Sequence, residues 1–258
     1  MKSVLAAAVI GGLLAAAPGG SARAQEPPQR SVFVVAVMEH AFQGPHQYTY
    51  HGMARGTGFF VTSDGTALTS SHLVYPVRTN PVTYQLLAVV GREFYGATLV
   101  CASDLPYDPV KQSTSVPVGR DIAKIRLTPS SFPFDQLEYG GTQYAVAHQG
   151  PLPAFPALTL AAGPSVGDDV RVLGFGYLSE APIPYEWSAT GTVSRTGELR
   201  DGTQVFEVTM TREAEPGHSG SPVLNSKDQV VGLWNWGSVS DPKRGMAISS
   251  PALDPACP

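Results

Sequence analysis

Residues 217–222 read Gly-His-Ser-Gly-Ser-Pro, and a strand-like Pro222-Val223-Leu224 begins where the hexapeptide ends. A serine hydroxyl is a weak nucleophile until a base takes its proton and hydrogen-bond donors stabilise the oxyanion that forms. Small residues around Ser219 permit a tight turn in which the backbone N–H groups of Gly217 and Ser219 converge on one point. An ordinary Gly/Ser turn has the same composition. The hexapeptide therefore gains meaning only from a base and an acid elsewhere in the chain.

The six histidines are His40, His46, His51, His72, His148 and His218, and none follows Ser219. An α/β-hydrolase needs the order Ser, acid, His and an elbow Gly-x-Ser-x-Gly, whereas Ser221 occupies the last position here. The subtilisin order, Asp then His then Ser, would need an Asp ahead of the base. The Asp before His72 is Asp64, which the turn-forming pair Asp64-Gly65 already explains. His148 and His218 lack a supporting context, which leaves the order His, Asp, Ser. His72 has the strongest surroundings: Gly56 to Val61, an Asp-Gly turn, then Ala67-Leu68-Thr69-Ser70-Ser71-His72 reads as a hairpin delivering a histidine at a strand end. Asp121 stands at the mouth of an alternating strand, Ile122 to Leu127, and is the candidate acid.

Composition agrees with a β body. Of 258 residues, 43% are hydrophobic and the net charge is only -4, which excludes a disordered chain. With 27 Gly and 23 Pro the chain is too interrupted for a helical bundle. No cluster of Lys and Arg suggests a nucleic-acid partner. Strand-like runs recur at Ser31–Val37, Gly58–Val61, Ala67–Ser70, Tyr84–Val90, Glu93–Val100 and Ile122–Leu127, then at Val170–Leu173, Trp187–Val193, Gln204–Thr209, Pro222–Asn225 and Val230–Trp236. Between the two series, residues 149–167 are rich in Pro, Ala and Gly and read as a linker. Two β units are expected, at about 31–148 and about 168–250, with no internal repeat and no long amphipathic helix.

The N-terminus is a targeting segment in this reading. Lys2 precedes an uncharged apolar run, Val4 to Ala17, and Ala22-Arg23-Ala24 places small residues where a signal peptidase cuts, after Ala24. The run is shorter than the ~20 residues that span a bilayer, so no membrane association is expected after its removal. Export, to the periplasm or the medium, would favour a disulfide between the two cysteines, Cys101 and Cys257, although two separate thiols fit the sequence as well. His40, His46 and His51 match no compact zinc motif, and no metal or other cofactor is expected.

With these residues in hand, the chain resembles the trypsin-like, chymotrypsin-fold serine proteases, nearest to the exported bacterial HtrA/Deg-type and glutamyl-endopeptidase branches. Gly56 to Val61 resembles their Gly-Ser-Gly-Phe strand, Thr69 to His72 their Thr-Ala-Ala-His segment, and Asp121-Ile122-Ala123 their Asp-Ile/Leu-Ala segment. Gly217 to Pro222 resembles Gly-Asn/Asp-Ser-Gly-Gly/Ser-Pro, and Gly232 to Gly237 resembles Gly-Ile-Val-Ser-Trp-Gly. The resemblance implies an all-β fold of two six-stranded antiparallel barrels with the site between them. It implies a serine endopeptidase acting on polypeptides, with Ser219 as nucleophile, His72 as base, Asp121 orienting the imidazole, and the Gly217 and Ser219 amides as oxyanion hole. Asn235, Trp236 and Gly237 would bind the substrate backbone and wall the specificity pocket, although Trp236 equally suits core packing.

The departures matter too. His218 stands where digestive relatives carry an Asp that pairs with a freshly cut N-terminus, so activity is expected on signal removal alone. Ser221 replaces a commoner Gly, as in the glutamyl branch, but Trp234 and Asn235 stand where that branch's pocket histidine is expected. Glu213, six residues before Ser219, is a candidate for the pocket floor; the alternative is a solvated loop acid beside Arg212. Twenty-one residues follow Gly237, too few for a PDZ module. A non-catalytic binding protein on the same fold is the competing reading, and oligomeric state is not encoded in any pattern.

Overall fold

The structure is a computed structural model that describes residues 27–44, 47–105, 119–139, 142–178, 181–238 and 240–253. The expected signal segment (residues 1–24), His46 and Cys257 lie outside the described residues. Cys101 is disulfide-bonded.

The first half forms β1 (Val32–Gly44), β2 (Gln47–Phe60), β3 (Thr66–Thr69), α1 (Ser71–Thr79), β4 (Tyr84–Val90), β5 (Glu93–Ala102) and β6 (Ala123–Thr128). Its strands hydrogen-bond in the order β4-β1-β2-β3-β6-β5, and β5 returns to β4 to close a barrel. β7 (Gln136–Tyr139) and β8 (Thr142–Ala147) extend it from β5. The second half forms β9 (Asp169–Leu178), β10 (Ala181–Glu198), β11 (Gln204–Met210), β12 (Ser221–Leu224), β13 (Val230–Gly237) and β14 (Arg244–Ser249). These close a second barrel in the order β10-β11-β14-β13-β12-β9. Two closed six-stranded antiparallel barrels are therefore present, as expected. Closure leaves few edges and lets alternate residues face inward, a pattern visible along β6, where Ala123, Ile125 and Leu127 are buried.

The start of β1 does not alternate, because both of its faces are covered. Phe33, Val35 and Val37 enter the first barrel's core. Val34 and Ala36 pack outside it, against Leu87, Phe94 and Phe132. A third cluster joins the barrels: Val32, Phe59, Leu68 and Ile122 from the first meet Leu173, Leu233, Trp236 and Ile248 from the second. The expected linker is part of this joint. Phe155 N–H donates to Ser63 O at 3.0 Å and Leu158 N–H to Phe60 O at 2.8 Å, after which Ala161 N–H reaches Val230 O at 2.8 Å. Phe155 stacks on Phe60 with ring centroids 4.4 Å apart.

Four elements differ from the sequence reading. His72 does not end a strand; it is the second residue of α1, which Ser70 alone separates from β3. β7, β8 and β14 were not among the expected runs. β14 begins Arg-Gly and ends in Ser, so its local pattern is weak, and it is strand because β11 and β13 flank it. The turn of Asp64 is as read: its Oδ1 accepts from the Thr66 amide at 3.1 Å and the Thr66 hydroxyl at 2.8 Å, and also from Thr62 Oγ1. Those hydrogen bonds hold its carboxyl down at about 2.

Candidate active site between the barrels

The first barrel supplies an acid and a base. Asp121 lies just before β6 and is fully buried. Its Oδ1 accepts the His72 backbone N–H at 2.9 Å, and its Oδ2 lies 2.6 Å from His72 Nδ1. A carboxylate oxygen accepts, so Nδ1 carries the proton and Nε2 keeps the lone pair. Burial works against a charged imidazole, but the Asp121 charge and hydrogen bond outweigh it and hold His72 above its ordinary 6.5.

The second barrel supplies the turn around Ser219. Gly217 has φ of 102° and Gly220 of 88°, in the left-handed region. A Cβ on Gly220 would stand 2.1 Å from Thr57 O, and one on Gly217 would stand 2.4 Å from the Tyr177 ring. Both positions therefore require glycine for conformation and for space. Gly220 N–H donates to Trp234 O at 2.8 Å and Ser221 N–H to His218 O at 3.0 Å. Pro216 O accepts from Tyr177 N–H at 3.2 Å, so the other side of that trans peptide, the Gly217 N–H, points away from β9. The Gly217 and Ser219 amides donate to no acceptor among the described residues.

Residues that the sequence reading did not single out hold the halves together. Thr57 N–H donates to Ser219 O at 2.8 Å, and its hydroxyl donates to Gly217 O at 2.8 Å while accepting from Phe175 N–H at 3.1 Å. Thr69 Oγ1 donates to Thr57 O at 2.7 Å. Below this, Ser70 Oγ donates to Asn235 Oδ1 at 2.8 Å and Asn235 Nδ2 donates to the Asp121 carbonyl at 2.6 Å. Thr57, Thr69, Ser70, Asp121 and Asn235 are all buried, where an unpaired polar group costs ~1–3 kcal/mol, so the network holds the base–acid pair in register with the serine turn. Small polar residues beside glycine in Gly56-Thr57-Gly58 were the only local signal.

The other nominated residues divide. Asn235 is buried, and its side chain is committed to Ser70 and Asp121. Its carbonyl accepts from Ser219 Oγ at 3.5 Å, and no bond joins Ser219 to His72 among the described residues. The Trp236 ring is buried in the joint between the barrels. On β13, Trp236 and Gly237 pair with β14 on one side only, Asn235 falls at a break in that register, and β12 stops at Ser221 opposite Trp234. Glu213 is exposed on the segment leading to Ser219, away from any buried floor. Neighbouring Arg212 lies over the Trp187 ring, 5.6 Å from its centroid. His218 is buried, with desolvation and the Arg212 charge pushing its imidazole down to about 3. No cluster of three or more His, Cys, Asp or Glu among the described residues is placed to hold a metal.

Comparison with known proteins agrees with this architecture. The family profile of the trypsin-like peptidase domain matches residues 56–233. The crystal structure of Deg5 superposes with a TM-score of 0.56 at 15% identity, covering 87% of this chain and 86% of that one. The active form of the Rv3671c protease from M. tuberculosis superposes with a TM-score of 0.52 at 19% identity, covering 88% and 78%. An inactive-form mutant of the same protein gives 0.53 at 20%, covering 88% and 84%. At these identities the structures speak for the fold, while the profile covers most of the chain: the protein belongs to the trypsin-like peptidase family.

Proposed function

We propose that the protein is an exported serine endopeptidase that cleaves peptide bonds through an acyl-enzyme, with Ser219 as nucleophile, His72 as base and Asp121 as its orienting acid. The observation that carries this reading is the double hydrogen bond from His72 to Asp121, which leaves Nε2 as the basic nitrogen on the half of the molecule tied to the Ser219 turn.

In the catalytic cycle the Ser219 hydroxyl turns from the Asn235 carbonyl to His72 Nε2, since resting catalytic hydrogen bonds are often loose before substrate arrives. The hydroxyl oxygen attacks the scissile carbonyl carbon as its proton passes to Nε2, and the new oxyanion is received by the unused Gly217 and Ser219 amides. Asp121 stabilises the imidazolium, which then protonates the leaving amine. Water repeats the sequence on the acyl-enzyme and restores Ser219. The unpaired edge of β13 at Asn235 to Gly237 suits a substrate strand, with main-chain hydrogen bonds supplying much of the affinity. Export rests on the N-terminal sequence pattern.

The test is covalent labelling by an organophosphonate active-site probe. Wild type should label and Ser219→Ala should not. Absence of label on both would overturn the proposal in favour of a binding module on the same fold.

A further inference from the structure

His218 adjoins the proposed nucleophile, yet the mechanism above makes no use of it. Its ring is only 1% exposed and lies over the Trp187 indole, with centroids 3.8 Å apart and planes 31° from parallel. Nδ1 accepts the Glu215 backbone N–H at 2.9 Å, and the His218 N–H returns to Glu215 O at 3.3 Å. A ring nitrogen that accepts carries no hydrogen, so the proton is on Nε2, which is buried and has no partner among the described residues. The charged groups facing this box are Arg212, over the same indole, and Glu215, whose carboxylate accepts from the Tyr185 hydroxyl. Among the described residues no carboxylate is hydrogen-bonded to the ring, so a second proton would remove the only acceptor on it and add a charge beside Arg212.

The two bonds between Glu215 and His218 close the turn that contains Pro216 and Gly217. That turn presents Pro216 O to Tyr177 and leaves the Gly217 amide unused. We propose that His218, seated as a neutral imidazole on Trp187, is the positioning residue that preforms the oxyanion-binding turn by accepting the Glu215 N–H. The turn is thereby held by an uncharged side chain of its own segment, and needs no buried carboxylate paired with a newly made N-terminus. This inference rests on the serine endopeptidase reading and specifies how one part of that site is built.

The discriminating pair is His218→Leu and His218→Asn. Leucine fills much of the space but accepts nothing, whereas the asparagine Oδ1 stands near the position of Nδ1 and accepts the same N–H. With concentrations corrected by active-site titration, His218→Leu should lose roughly 10²-fold in kcat, the scale of a lost oxyanion donor, with KM within about threefold of wild type. The rate of organophosphonate labelling per titrated site should fall in parallel. His218→Asn should recover kcat to within about fivefold, and the acid limb of kcat/KM, which belongs to His72, should stay in place in both. Wild-type turnover per titrated site in His218→Leu would mean that His218 serves folding alone and would overturn the proposal, while leaving the proposed triad intact. Should the leucine variant not fold, Trp187→Leu gives the same decision: about tenfold lower kcat per site is expected because the ring loses its platform, and no change overturns it. A chain carrying extra residues ahead of Gln25 should turn over as fast as one beginning there; activity that requires a free new N-terminus would also overturn it.

Discussion

The two halves of the site each contribute a histidine, and the protein treats them in opposite ways. On the first barrel, His72 has a buried carboxylate on Nδ1 and an open Nε2, so it is held above its ordinary value and is ready to take a proton. On the second barrel, His218 has a backbone amide on Nδ1 and an indole beneath its ring, and burial keeps it neutral down to about 3. The same imidazole is thus a base where a carboxylate faces it and an uncharged acceptor where an aromatic box surrounds it. Desolvation disfavours the charged form in both places; only at His72 does a charge of opposite sign outweigh it.

Removing that charge should break the contrast with the largest effect. Asp121→Asn keeps the shape but offers an amide to Nδ1, and loss of the correct tautomer costs about 10⁴-fold in kcat in the type case of such triads. Steady-state kinetics should give a loss of that order, and the remaining activity should titrate at lower pH than in wild type. An unmoved acid limb would show that Asp121 is not what raises His72.

The second barrel's half depends on backbone geometry instead. Gly220→Ala places a Cβ 2.1 Å from Thr57 O at φ 88°, directly in the seam between the barrels. Left-handed strain and overpacking together should cost about 3–4 kcal/mol in urea denaturation. Gly91, with φ of 60° and open space around it, is the control, and Gly91→Ala should cost only about 1 kcal/mol. Equal losses at the two glycines would show that the Thr57 contact is not a constraint.

Acid provides the subtlest separation, because the two histidines should respond in different observables. kcat/KM should fall through a pKa above 6.5 as His72 is protonated on its way down in pH. Stability should respond to His218: its folded value lies below the unfolded one, so the unfolded chain takes up a proton that the native state refuses. That contribution is full above about 6.5 and is lost as pH falls toward 3, at up to about 1.4 kcal/mol per pH unit. His72 has the opposite sign, since a raised value stabilises below 6.5 and is lost as pH rises through the folded value. His218→Asn should flatten the acid side of the stability profile without moving the kinetic limb. A profile as steep as wild type would show that His218 does not titrate with folding.

Much of this organisation was legible along the chain. Tyr84–Val90 and Gln204–Thr209 stand out because alternation and β-branching are local properties, and the pairing of His72 with Asp121 could be nominated from the order of chemistry-bearing residues. The helical start at Ser71 was not legible, since Thr69-Ser70-Ser71 continues the polar end of a strand and the turn into α1 leaves no distinct residue pattern. For Glu213 the sequence leaves open a pocket floor and a solvated loop acid, because distance along a loop does not fix direction, and the residue is exposed. The family resemblance assigns Asn235 a main-chain role toward substrate; the tie its side chain makes between Ser70 and the Asp121 carbonyl across the seam is one that no local pattern indicates.

By itself, the sequence determined the two β halves, the glycines that the serine turn needs, and which side chains have the chemistry to act as nucleophile, base and acid. Only the tertiary structure decided which nitrogen of each imidazole carries hydrogen and which histidine can be charged. The reason is that protonation depends on burial and on the partner opposite. The partner of His72, Asp121, is 49 residues away, and the indole that buries His218 comes from a different strand, β10, so neither setting follows from a local pattern.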